Sequence, residues 1–119
     1  MKVAVTSQGK SLGAPVDPRF GRAAYILIVD SDAGTFEVLD NSENVNAFKG
    51  AGIQAAAAVA DRGVDVLLTG YCGPKAFQVL AAAGVKVVND VGGTAKEALK
   101  ALKDGELVFA HGPNADAHW

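Results

Sequence analysis

Residues 64–77 read VDVLLTGYCGPKAF, and the rest of the chain is arranged around this stretch. The apolar, β-branched run at its start predicts a short strand that is buried on both faces. The run ends at Gly70, and Pro74 suits the first position of an alanine-rich helix, because the N–H that proline lacks would have no intrahelical partner there. A strand that leads through glycines into a helix start presents free backbone N–H groups, to which Lys75 adds a positive charge. We therefore interpret this junction as the middle of an anion-binding site.

The composition indicates one domain without a basic surface. The chain has 119 residues, half of them hydrophobic, and a formal charge of −2, so no overall basic field attracts nucleic acid or an acidic membrane. The single cysteine makes an internal disulfide impossible, and no apolar run approaches the ~20 residues of a transmembrane helix. Because the amino terminus enters a strand directly, we expect no signal peptide. We expect a cytoplasmic protein with one domain at residues 1–110 and a polar tail at residues 111–119.

The apolar periodicity predicts eight elements in the order β-β-β-α-β-α-β-α. Strands are predicted at residues 2–7, 25–30, 35–40, 64–69 and 85–89, and helices at residues 53–62, 74–83 and 95–103. The early hairpin makes one strand antiparallel, whereas strands joined through helices should be parallel. The sequence therefore predicts an α/β fold, in which a mixed five-stranded sheet carries helices on its faces.

Four loops should meet at one end of this sheet, because ligands collect beyond the carboxyl ends of parallel strands. We call this end the rim, and it comprises residues 8–22, 41–52, 70–75 and 90–94. The last of these loops ends in Thr94, which forms a capping box with Glu97. The basic residues of the four loops are Lys10, Arg19, Arg22, Lys49 and Lys75.

The hexapeptide DPRFGR at residues 17–22 is the most unusual motif. Two arginines flank Phe20 and Gly21, which would give forked donors for an anion beside an apolar face. The alternative is a structural turn in which Asp17 pairs with an arginine. Two arginines exceed what one aspartate needs, and this favours the anion site.

The sequence KGAGIQ at residues 49–54 places two glycines before a helix. It resembles a fragment of a phosphate-binding loop, but it lacks the GxxxxGK[ST] pattern. The alternative is a helix start that packs closely on the sheet. Both interpretations remain open, and both can hold together.

Cys72 could be a passive turn residue, a metal or cluster ligand, or a nucleophile. A nucleophile needs a base, and the only histidines, His111 and His118, lie in the predicted tail. A closed metal site needs more soft ligands than one thiol supplies. We expect the tail to be mobile rather than ligating.

Several of these patterns together resemble the dinitrogenase iron–molybdenum cofactor biosynthesis family. They are DPRFGRA at 17–23, GAGIQA at 50–55, GVD at 63–65, Gly70 with Gly73-Pro74, and EAL at 97–99, with the spacing kept to about Leu107. The resemblance implies a ribonuclease H-like three-layer fold and a carrier of an anionic metal–sulfide cluster, not an enzyme. The chain is most similar to members that hold a molybdenum–copper sulfide cluster without covalent attachment. Another molybdenum or iron–sulfur cluster, such as a cofactor precursor, is also compatible, as is a donor or acceptor protein for the cluster.

A cluster of this kind already carries sulfide ligands, so it needs positive charge, backbone N–H groups and apolar walls rather than a cysteine cage. Many relatives have a histidine just before GAGIQ, whereas this chain has Phe48 and Lys49, so charge pairing through Lys49 would substitute. The residues expected to bind the cluster are Arg19, Phe20, Gly21, Arg22, Lys49, Gly50, Gly52, Tyr71, Cys72, Gly73, Lys75, Gly93 and Thr94. The alternative is an enzyme or binding module for a phosphorylated small molecule at the same rim.

Overall fold

The computed structural model describes residues 1–42 and 50–114. Its strands are β1 (Lys2–Ser7), β2 (Tyr25–Asp30), β3 (Thr35–Asp40), β4 (Val66–Leu68) and β5 (Lys86–Val88). The helices within these ranges are α1 (Ala51–Asp61), α2 (Pro74–Ala82) and α3 (Ala95–Lys103). The predicted order of elements and the α/β class are confirmed.

The five strands form one mixed sheet in the order β3-β2-β1-β4-β5. Strand β2 is antiparallel to both of its neighbours, with Ser7 opposite Tyr25 and Tyr25 opposite Asp40. Strands β1, β4 and β5 are parallel, with Val3 opposite Val66. The carboxyl ends of these three strands therefore lie at the same end of the sheet, which is the rim.

Helices cover both faces of the sheet. Because successive side chains of a strand point to opposite faces, Ala4 packs with α1 and α2, whereas Val5 packs with α3. Small residues let the first two helices lie close to the sheet, including Ala55 and Ala56, which are both fully buried. The result is a three-layer arrangement.

Several element boundaries differ from the predicted ones. Helix α1 begins two residues early, at Ala51, because Gly50 serves as its N-cap with φ 80°, a left-handed conformation that glycine adopts without strain. Strands β4 and β5 are shorter than predicted, because β4 pairs with only three residues of β1 and β5 pairs with only three residues of β4. None of the described helices is long and apolar enough to cross a membrane.

Candidate functional site

The described parts of the four rim loops are joined by backbone contacts. The loop at residues 8–22 pairs with the turn after β4: the Tyr71 N–H donates to the Pro18 carbonyl at 2.6 Å, and the Phe20 N–H donates to the Tyr71 carbonyl at 3.1 Å. Gly70 makes this approach possible, since a Cβ there would lie 2.5 Å from the Pro18 oxygen. The DPRFGR motif is therefore fixed directly beside the strand-to-helix junction at residues 70–74.

A second close approach joins the same loop to the start of α1. A Cβ built on Gly21 would lie 2.6 Å from the Gly52 nitrogen, and a Cβ on Gly52 would lie 3.3 Å from the Cβ of Ala76 in α2. The Asn41 side chain holds the loop from the other side by donating to the Gly21 and Ala23 carbonyls, at 3.1 and 2.8 Å. Gly52 of GAGIQ thus serves close packing, which sets the first turns of α1 and α2 side by side, whereas Gly50 serves as the N-cap of α1.

The N-termini of α1 and α2 carry no side-chain cap hydrogen bond. Helix α1 begins after Gly50, and α2 begins after Gly73 with Pro74 at its first position. No acceptor among residues 1–42 and 50–114 engages the N–H groups of the second and third positions of either helix. These N–H groups and the positive ends of two helix dipoles can therefore bind an anion.

The N-terminus of α3 is, in contrast, fully occupied. The N–H groups of Ala95 and Lys96 donate to the carbonyls of the loop at residues 8–22, at 3.0 and 2.8 Å. The Glu97 N–H donates to Thr94 Oγ1 at 3.1 Å, and the Thr94 N–H donates to Glu97 Oε1 at 3.0 Å, so the predicted capping box is present. The Thr94 hydroxyl and N–H are therefore both used in hydrogen bonds within the protein, although the sequence predicts that Thr94 binds the cluster.

Gly93 has the same kind of structural role. It adopts φ 75°, and its carbonyl accepts the Val16 N–H at 2.9 Å. This bond attaches the loop at residues 8–22 to the entry of α3. The structure thus gives Gly93 a function in loop packing.

Several cationic side chains belong to the rim loops. Lys75 is exposed and makes no hydrogen bond or ion pair within the described residues. Arg22 is half-buried, and Lys10 lies 5.7 Å above the ring of Tyr25 at the rim end of β2. Lys49 falls outside the described residues, so its place at the rim stays a prediction.

Arg19 combines the two roles that the sequence left open. The Asp17 carboxylate is buried and accepts the Arg19 backbone N–H at 3.0 Å, and Arg19 Nε lies 3.8 Å from the same oxygen. The structural turn with Asp17 therefore exists. The Arg19 side chain is nevertheless 46% exposed, so its guanidinium can reach a ligand at the rim.

Phe20 does not form an apolar wall of the rim, contrary to expectation. It is 1% exposed and belongs to the core cluster beneath α1 and α2, because the loop turns its ring inward between the two arginines. Two other apolar side chains are exposed at the rim. They are Tyr71, at 39%, and Ile53 in the first turn of α1, at 41%. The sequence did not single out Ile53, although an isoleucine in a first helical turn after two glycines is a usable signal.

Cys72 is a core residue. Its side chain is fully buried, and burial raises the pKa of the thiol from 9.0 to about 12. The only polar contact of the sulfur within the described residues is a weak one, 3.7 Å to the Gly73 carbonyl. Of the three roles left open for Cys72, the structure supports the passive one, since nucleophile and metal ligand both require an accessible thiolate.

One rim residue was missed by the sequence altogether. Asn114 lies in the stretch expected to be a polar tail, yet its side chain accepts the Cys72 N–H at 2.9 Å and donates to the Gly70 carbonyl at 2.9 Å. Nothing in the local sequence distinguishes Asn114 from its polar neighbours. His118 lies outside the described residues, and His111 is exposed.

The donor set at the rim suits a ligand that brings its own metal coordination. Within the described residues no group of three or more histidine, cysteine or carboxylate side chains is placed to hold a metal ion. What the rim offers instead is guanidinium and ammonium charge, two sets of backbone N–H groups, and the exposed faces of Tyr71 and Ile53. This combination fits a soft polyanion.

The chain resembles known proteins over most of its length. The sequence model of the family described as dinitrogenase iron–molybdenum cofactor matches residues 1–105. The apo form of the orange protein from Desulfovibrio gigas is 48% identical, with a TM-score of 0.92 over 96% of each chain. A NifB-like protein from Thermotoga is 39% identical, with a TM-score of 0.80 over 91% of each chain. An uncharacterized protein from Methanocaldococcus jannaschii is 28% identical over 90% of this chain and 89% of its own.

Proposed function

Because the chain belongs to the dinitrogenase iron–molybdenum cofactor family, we propose that it binds an anionic, molybdenum-containing metal–sulfide cluster without covalent attachment and stores or delivers it. The cluster is cargo, and the protein acts as a carrier, not an enzyme. The similarity to the orange protein favours a molybdenum–copper sulfide, and an iron–molybdenum cofactor precursor is the alternative cargo. A carrier of this kind would exchange its cluster with a donor or acceptor protein in the cytoplasm.

One observation carries this proposal: the uncapped first turns of α1 and α2 lie side by side, with cations around them. Two helix N-termini that lie side by side offer several N–H donors and two positive dipole ends, whereas the N–H groups of the capped α3 are already bonded. Charge-assisted hydrogen bonds contribute about 1.5–3 kcal/mol each, so a few of them can retain a polyanion.

We assign the roles at the rim as follows. Arg19, Arg22 and Lys75 supply charge, and Lys49 completes the set. Close backbone approach comes from Gly21, Gly50, Gly52 and Gly73, while Tyr71 and Ile53 face the sulfide surface. The strand order, with β2 antiparallel to the other four strands, also supports the ribonuclease H-like class.

Reconstitution tests the proposed function. Apo-protein is mixed with tetrathiomolybdate and copper, desalted, and measured for molybdenum, copper and charge-transfer absorption. The proposal predicts a coloured protein with a fixed ratio of metal to protein, and an Arg19→Ala/Lys75→Ala variant that retains much less metal. A colourless wild-type product after desalting would rule out the proposal.

A phosphorylated small molecule is the second candidate, because uncapped helix N-termini suit phosphate equally well. Inorganic phosphate and nucleotides should then protect the protein against thermal unfolding at concentrations at which tetrathiomolybdate has no effect. For a cluster carrier, tetrathiomolybdate should instead protect at concentrations at which phosphate and nucleotides have no effect. The larger and softer anion would contact both helix N-termini and the apolar side chains together.

A further inference from the structure

The end of the described chain crosses the rim. We call residues 110–114 the strap. It begins beside β5, where the Ala110 N–H donates to the Val87 carbonyl at 2.7 Å, and it ends at Asn114 on the turn after β4. The strap therefore passes over the carboxyl ends of β5 and β4, the place where parallel sheets bind ligands.

Asn114 fastens the strap with three hydrogen bonds. Its side-chain oxygen accepts the Cys72 N–H at 2.9 Å, its side-chain nitrogen donates to the Gly70 carbonyl at 2.9 Å, and its backbone N–H donates to the Cys72 carbonyl at 3.1 Å. The Cys72 N–H is thus occupied by an oxygen of the chain itself, two residues before α2 begins.

Between Ala110 and Asn114 the strap is loosely attached. Asn89 Nδ2 donates to the Gly112 carbonyl at a long 3.4 Å, and the buried Asn89 Oδ1 has no hydrogen-bond partner among residues 1–42 and 50–114. Pro113 and Asn114 are exposed, so water can compete for the hydrogen bonds that hold the strap down. A segment anchored to β5 at Ala110 and loosely attached in its middle can open from its Asn114 end without disturbing the sheet.

We propose that the strap is an intramolecular gate of the rim and that Asn114 is its latch: the amide oxygen of Asn114 occupies the Cys72 N–H, a backbone donor in the turn that leads into α2, and the incoming cluster displaces it. This inference rests on the proposed function. While the strap is closed, the apparent affinity for the cluster is lowered by the fraction of molecules that are open. A variant that frees the strap should therefore bind the cluster more tightly.

The experiment compares wild type with Asn114→Ala, and His111→Ala serves as the matched control because its exposed side chain lies on the same strap. Amide hydrogen exchange of the free proteins is followed by NMR. Loss of the latch should speed exchange of the backbone amides of Cys72 and Asn114 by on the order of tenfold. The exchange rate of the Tyr71 amide, which donates a hydrogen bond to the Pro18 carbonyl, should be unchanged. This result would show that the turn itself remains folded.

Titration of the same three proteins with tetrathiomolybdate supplies the second readout. Asn114→Ala should bind more tightly by about the same factor as its exchange is accelerated, and His111→Ala should match wild type. In wild type, saturation with tetrathiomolybdate should remove the protection of the Asn114 backbone amide.

The outcomes separate the gate from the proposed function. If all three proteins bind but Asn114→Ala binds equally or more weakly, Asn114 only builds the turn and the gate is overturned. The gate is also overturned if the Tyr71 and Cys72 amides are deprotected together. If no protein binds, the proposed function fails, while selective deprotection at Cys72 and Asn114 still supports the latch.

Discussion

Gly21 lies so close to Gly52 that a Cβ atom on Gly21 would stand 2.6 Å from the Gly52 nitrogen and 2.7 Å from its Cα. Both neighbours are backbone atoms at the start of α1, so neither can rotate away. This contact places the loop that carries Arg19 and Arg22 against the first turn of α1. The positions of the arginines relative to the open helix N-termini therefore depend on the close packing of Gly21.

We predict that Gly21→Ala destabilises the protein by about 1–3 kcal/mol, the usual range for forcing extra volume into a packed contact. Urea denaturation measures the free energy of unfolding. Gly92→Ala is the matched control, because a Cβ there meets nothing within 4 Å and the backbone conformation is unstrained, so its effect should stay within about 0.5 kcal/mol. Equal losses in both variants would contradict the close contact.

We predict that Lys75→Gln weakens tetrathiomolybdate binding by about twofold to fivefold, the effect of removing one exposed charge from an ionic contact. Raising the salt concentration should reduce the difference between the variant and wild type, because exposed charges are screened. Lys86→Gln is the control, since Lys86 begins β5 at the opposite end of the sheet and is also exposed. Similar losses for both lysines would indicate nonspecific attraction rather than a site.

We predict that iodoacetamide labels Cys72 in the folded protein at pH 8 at least about a hundredfold more slowly than in urea, because burial suppresses the thiolate. Folding raises the pKa of this thiol from 9.0 to about 12. The stability that the protonated thiol contributes is therefore complete below pH 9 and is lost as pH rises toward 12.

The Cys72→Ala variant supplies the unlabelled blank for this measurement. It should also keep its cluster absorption after reconstitution, since a thiol buried in the core is not expected to contact the cluster. Rapid labelling of native protein, or loss of the cluster in Cys72→Ala, would restore Cys72 as a ligand.

We predict that Thr94→Ala lowers the free energy of unfolding by about 1 kcal/mol, the usual cost of losing a helix N-cap, and leaves cluster affinity unchanged. Hydrogen bonds with Thr94 also hold the pKa of Glu97 below its usual 4.5. The hydrogen bond with the Thr94 backbone has the larger effect, and the one with its side chain has the smaller. The stability linked to this lowered pKa is present above pH 4.5 and lost as pH falls, and the loss should be smaller in Thr94→Ala. A stable Thr94→Ala protein that no longer binds tetrathiomolybdate would show that the hydroxyl contacts the ligand.

Local patterns were sufficient to predict much of the fold. The apolar run of β1, Pro74 at the start of α2, and the Thr94–Glu97 box each act within a few residues, and the structure shows all three. The mixed sheet followed because helices between strands require parallel neighbours and the early hairpin makes one strand antiparallel, whereas the order of the strands in the sheet was not predicted. The direction of the strands also predicted that four loops meet at the rim, and the described parts of those loops do so.

Long-range packing set the limits of the prediction. Phe20 between two arginines looked like a surface residue, and only the contact of its loop with residues 70–72 turns the ring into the core. Cys72 looked available because its turn is at the rim, although its side chain points into the same core. Asn114 reaches back 42 residues to Cys72, a distance over which no local pattern carries information.

The most direct test of the central claim is an amide NMR titration of the apo-protein with tetrathiomolybdate. The anion is proposed to sit on the open first turns of α1 and α2, so the largest shifts should appear at the amides of Gly52, Ile53, Lys75 and Ala76. The amides of Ala95 and Lys96 should hardly move, because carbonyls of the loop at residues 8–22 already occupy them. Shifts that are largest at the start of α3, or spread evenly over the surface, would contradict the account.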